Sequence, residues 1–201
     1  MTSVSVPIFA LGLTRRSCEQ ATSLIVMLET LITSKTRIKL LLKFFLNPDM
    51  RGYLRGLEQE FEEGSNAIRL ELNRFEEAGL LYSSFTGNKK FFRANQTHPM
   101  YKDLNTLIRK YVGVDKIIEW FVEQSGDLEA VYLSGKLAKG LDSPLIDLII
   151  VGDAINESFI QTMANKGEKL IGKKIRWVSY PSDKFEEDKS GFENLLLIWE
   201  K

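Results

Sequence analysis

The side chains with most chemistry to offer lie in two separate stretches. From position 65 the chain reads Ser-Asn-Ala-Ile-Arg-Leu-Glu-Leu-Asn-Arg, so that Ser65, Asn66, Arg69, Asn73 and Arg74 alternate at helical spacing with the apolar Ile68 and Leu72. Hydroxyl, amide and guanidinium groups are the ones that hydrogen-bond to base edges and phosphates. Asn88-Lys89-Lys90 adds a basic turn shortly afterwards. Far downstream, Ser134-Gly135-Lys136 and Lys139 combine a glycine turn with lysines at the start of a short helix, where free backbone amides and a cation suit a phosphate group without a metal.

Other chemistries are excluded by counting. The single cysteine, Cys18, allows neither a disulfide within the chain nor a cysteine zinc site, and the single histidine, His98, rules out a histidine cluster. His98 precedes Pro99 and reads as a turn residue. Basic and acidic residues balance at 27 each, so no global field holds the chain on nucleic acid and any such binding must be local. Positions 1–97 carry 13 basic and 10 acidic residues, a weak asymmetry of the sign that DNA contact needs.

With 201 residues, 44% of them hydrophobic, the chain can bury one core and has room for a second small one. Met1 to Thr14 is too short an uncharged run to cross a bilayer. Arg15-Arg16 follows it, the reverse of a signal peptide, so the expectation is a cytoplasmic protein with no membrane partner. Regular patterning begins only near Met27, which leaves 1–27 as an N-terminal extension.

The remaining elements follow from apolar spacing. Ile38, Leu41, Leu42, Phe45 and Leu46 predict a helix capped by Ser34 and ended by Asn47-Pro48. A second helix is predicted from Arg51 to Glu62, and a third from Ser65 to Ala78, stopped by Gly79. Two strands, 80–85 and 91–94, flank a five-residue turn, Thr86 to Lys90, and make a hairpin. Three helices, two of them joined by a short glycine-containing turn, and then a hairpin make a winged helix. Helices are predicted over 102–112 and 115–125. Strands at 130–133, 145–151 and 174–179, a helix at 157–170 and a terminal element at 195–199 make a small α/β unit. The fold class is therefore α+β: a winged helix-turn-helix over 28–97, a helical connector over 98–126, and the α/β domain over 127–201.

The stretch 65–81, Ser-Asn-Ala-Ile-Arg-Leu-Glu-Leu-Asn-Arg-Phe-Glu-Glu-Ala-Gly-Leu-Leu, resembles the recognition helix and glycine-leucine exit into the wing of ArsR-type winged-helix transcription regulators. The resemblance implies double-stranded DNA as partner and a homodimer. If the third helix enters the major groove, Ser65, Asn66, Arg69 and Asn73 reach base edges and nearby phosphates, and Arg74 reaches the backbone. Asn88, Lys89 and Lys90 then lie along phosphates or in the minor groove, with Arg37 and Arg51 on the backbone from the first two helices. Metal sensing needs thiols, and only Cys18 is present.

Residues 130–153 resemble the core motif of a minimal nucleotidyltransferase domain of the polymerase-β type. Gly135 matches the motif's glycine and Asp147 its second aspartate. Lys136 stands at the serine position and Leu145 at the first aspartate, and the strand Lys174 to Ser179 holds no carboxylate. Two-metal phosphoryl transfer needs several oxygen ligands, so the resemblance implies a degenerate domain without catalysis, metal or cofactor, and Asp147 is a vestigial metal position. The domain then acts as a sensor or assembly module, and Gly135, Lys136 and Lys139 are its candidate site for a nucleotide or other phosphate-bearing effector. Two alternatives stand beside the DNA-binding regulator: a nucleotidyltransferase acting on a protein, RNA or small molecule, and a winged helix serving only protein contacts.

Overall fold

The computed structural model describes residues 28, 30–124 and 126–201, so the extension expected over 1–27 lies outside the described residues. Helix α1, Lys35–Leu41, starts where expected, with the Ser34 hydroxyl accepting from the Arg37 N–H at 3.2 Å. It runs on into a π-helical turn, Leu42–Leu46, in which all five residues are buried. Lys43 tolerates that burial because its ammonium reaches Glu60 at 2.7 Å.

The second helix is shorter than its expected span from Arg51 to Glu62. Arg51–Tyr53 is instead a strand, β1, and α2 covers Leu54–Phe61. The cause is tertiary: β1 pairs antiparallel with the second hairpin strand, where Tyr53 meets Phe91 edge-on at 5.2 Å between centroids. Helix α3, Ser65–Glu77, turns Ile68, Leu72 and Phe75 inward. Strands β2, Leu81–Thr86, and β3, Lys89–Ala94, are joined by only Gly87 and Asn88, not by the expected five-residue turn. Gly87 takes φ +57° at the first turn position, the glycine-first geometry of a tight two-residue hairpin, and this draws Lys89 and Lys90 into the ladder. The sheet order is β1-β3-β2.

Helices α4, Tyr101–Val112, and α5, Val114–Gln124, lead to a second sheet. It comprises β4, Gly126–Ser134; β5, Leu145–Ile155; β6, Lys174–Tyr180; and β7, Leu196–Glu200, in the order β6-β5-β4-β7. A four-residue helix, α6, Gly135–Ala138, follows β4, and α7, Glu157–Ile171, crosses between the parallel β5 and β6. The sequence reading contains no counterpart of α8, Ser182–Asp188, because Ser-Asp-Lys-Phe-Glu-Glu-Asp buries only Phe185 and has no apolar period. The fold is mixed, with helices and two separate sheets.

A continuous apolar cluster runs from Phe44 and Leu72 through Ile117 and Phe121 to Val131, Leu148 and Ile150. Two polar or backbone contacts add to that joint. The buried Asn47 amide donates to the Ala138 carbonyl at 2.8 Å, and a Cβ on Gly140 would stand 2.5 Å from the Lys43 Cα. Gly140 also has φ +70°, so glycine is required there twice over. Among the described residues, no helix is long and apolar enough to cross a membrane.

Candidate nucleic-acid interface

Since Ile68, Leu72 and Phe75 face the core, the opposite side of α3 presents Asn66, Arg69, Leu70, Asn73 and Arg74 to solvent, with Ser65 half-buried at its start. The hairpin crosses one flank of that helix. Between them lies a cleft of about 590 Å³ whose walls are Arg69, Leu72 and Asn73 of α3, Asn88, Lys89, Lys90 and Phe92 of the hairpin, and Tyr53, Leu54 and Arg55. Arg69, Asn73, Asn88, Lys89 and Lys90, separated by up to 21 positions in sequence, thus share one concave surface.

The cations of this region divide into two sets. Arg37 donates from Nε to Oε2 of Glu71 at 2.8 Å and from a terminal nitrogen to Oε1 at 3.1 Å, and Arg74 reaches the same carboxylate at 3.0 Å. Burial works against ionising Glu71, but the hydrogen bonds and charges of Arg37 and Arg74 outweigh it and hold its pKa below the usual value. Lys90 is bound to Glu76 at 2.7 Å, and Glu76 also accepts from the Ser83 hydroxyl; these two hydrogen bonds lower its pKa. Arg37 and Arg74 therefore share one carboxylate, which offsets one of their two charges, and Lys90 is offset by Glu76.

Arg51, Arg55, Arg69 and Lys89 have no carboxylate partner among the described residues and are exposed. Aromatic faces position two of them instead: the Lys89 ammonium sits 4.5 Å from the Tyr53 ring centroid and the Arg51 guanidinium 5.1 Å from that of Phe91. Arg55 is the residue that sequence reasoning missed. It falls in the first turn of α2, which starts at Leu54 and not at Arg51, and no local pattern in the sequence signals it.

In the second sheet, the register places Asp147 between Ser134 on β4 and Arg176 on β6. The Arg176 Nε donates to Asp147 at 2.6 Å, so that carboxylate is paired with an arginine from the neighbouring strand. A Cβ on Gly135 would come within 2.6 Å of the same carboxylate. These neighbours do not fit a two-metal centre, and among the described residues no three His, Cys, Asp or Glu side chains form a metal-holding group. Lys139 pairs with Glu193 at 3.3 Å, and Lys136 is exposed on a helix of only four residues. Gly135, Lys136 and Lys139 are adjacent in sequence, and a neighbouring cleft of 280 Å³ is lined by Ser134, Asp147, Arg176, Trp177 and Phe192.

No family model and no curated protein matches the chain. Among solved structures, reduced HlyU from Vibrio cholerae N16961 is similar to 47% of this chain over 95% of its own length, at 17% identity and a TM-score of 0.33. At that TM-score the match carries no weight for function.

Proposed function

We propose that the chain is a DNA-binding transcription regulator whose first half is a winged helix, with α3 entering the major groove and the β2-β3 hairpin serving as the wing. The observation that carries this reading is the cleft in which the unpaired Arg55, Arg69 and Lys89 converge with Asn73 and Asn88. Cations without carboxylate partners are free to meet phosphates, and an arginine flanked by asparagines on an exposed helix face has the donor geometry for guanine and adenine edges. Arg69 and Asn73, with Asn66 one turn earlier, read bases; Arg55, Lys89 and Arg51 bind phosphates. Two copies acting as a homodimer supply contact area that one such surface lacks.

The second half acts in this reading as an inactive, nucleotidyltransferase-like sensor or assembly module. Its support is the Arg176–Asp147 pair, which puts a positive charge where a divalent ion would need oxygen ligands. The test is to incubate the purified protein with a pool of random duplexes at near-physiological salt, then sequence what it retains. A common, two-fold-symmetric motif is expected, and Arg69→Ala should relax base preference at one position of each half-site, costing about 1–3 kcal/mol there. Retention of no duplex above background would refute the proposal.

A further inference from the structure

Among the described residues, Phe85 is the most exposed of the large apolar side chains, at 75% of its full area. Its place on the hairpin gives that exposure meaning. Phe85 is the direct cross-strand partner of Lys90, and Ser83 that of Phe92, so all four share one face of the hairpin. Lys90 and Phe92 line the cleft beside α3, but so does Lys89 from the opposite face, and Phe85 does not; its rung places it on the Lys90 face, next to the turn. Glu76 clasps Ser83 and Lys90, the hairpin's polar ties to α3. Beyond Ser83 the strand advances about 7 Å to Phe85, toward the turn. The ring stands one rung from the Gly87-Asn88 tip, with Lys90 opposite it and Lys89, the partner of Thr86, on the hairpin's other face.

Resting on the DNA-binding reading above, we infer that Phe85 is a minor-groove wedge: as the wing lies along the groove, the phenyl ring inserts at a base step and unstacks it. The chemistry matches the position. A minor-groove wedge must be apolar, must project past the body of the protein, and must be held to the backbone by nearby cations; Phe85 satisfies the first two, and Lys89, one rung nearer the tip on the hairpin's other face, supplies the third. The step it enters should be a pyrimidine-purine step, the kind that unstacks at least cost, so Phe85 contributes specificity at a position that no hydrogen bond reads.

The experiment uses the full chain and the duplex recovered from the random pool, with 2-aminopurine substituted in turn for each adenine of the flanking sequence. Wild-type protein should raise the fluorescence at one step outside the major-groove contacts. Phe85→Ala should abolish that rise and weaken binding roughly tenfold, while Phe85→Trp restores both. Its melting temperature should stay that of the wild type, because the ring covers nothing. Phe85→Ala binding as tightly as wild type, while Arg69→Ala still weakens binding, would overturn the wedge and leave the DNA-binding reading intact; so would a Phe85→Ala protein whose only change is its oligomeric state in sedimentation. If wild type retains no duplex, both fall together.

Discussion

The division between paired and unpaired cations makes the salt dependence of duplex binding a quantitative test. Lys89 and Lys90 are sequence neighbours with the same side chain, yet Lys89 has only the Tyr53 ring beneath it whereas Lys90 is held at 2.7 Å by Glu76. Each phosphate neutralised by a protein cation contributes about 0.9 to the slope of log K against log salt. Lys89→Ala should therefore flatten the slope by about 0.9 per protomer and by about 1.8 in a dimer. Between ~50 and ~200 mM salt, the affinity advantage of wild type over this variant should then shrink by a factor of about 12 for a dimer, or about 3.5 for a monomer, so the same titration reports stoichiometry. Lys90→Ala should leave the slope close to wild type, because its charge is already offset. Glu76→Gln should steepen it by releasing Lys90. Fluorescence anisotropy with a labelled duplex at four or five salt concentrations measures all of these. Equal slope changes for Lys89→Ala and Lys90→Ala, or none for either, would refute the assignment of phosphate contacts from pairing.

Two further outcomes concern stability. Glu71→Gln leaves the Arg37 fork without its charge partner at the α1–α3 contact and should cost about 1–3 kcal/mol in denaturant unfolding at neutral pH. Because the folded protein holds the Glu71 pKa below the ordinary 4.5, this contribution is complete above that pH and is lost as pH falls through the lower folded value, so the wild-type and variant stability curves should converge in acid. Gly140→Ala places a methyl carbon against the Lys43 backbone at a positive φ and should destabilise the chain by at least about 2 kcal/mol, read by the same unfolding experiment.

What could be read from the sequence depended on whether the deciding contact was local. Helix α3 was legible in full, since Ile68, Leu72 and Phe75 define its inner face and Gly79 its end. Strand β1 was not: Arg-Gly-Tyr has no alternation to detect, and it is a strand only because β3, some forty positions later, offers a partner. The hairpin was legible but its turn length was not, because Lys89 and Lys90 look like turn residues until the cross-strand register assigns them to β3. The same limit applied to charge. Nothing in the local pattern distinguishes Arg37, consumed by Glu71 from 34 positions away, from Arg55, which is unpaired and faces the cleft. Asp147 stood out by its motif, whereas its partner Arg176 emerged only from the parallel register of β5 and β6.

The joint between the two halves is close-packed and shares the core. There the Lys43 backbone packs directly on Gly140 and the buried Asn47 side chain is bonded to the Ala138 carbonyl. A dimer built through the C-terminal sheet would consequently hold its two α3 helices at a separation fixed by the fold, not by a linker. Such a protein behaves as a caliper: inserting one or two base pairs between half-sites rotates the second site around the duplex by about a tenth of a turn per pair, and a rigid body has no slack to follow it.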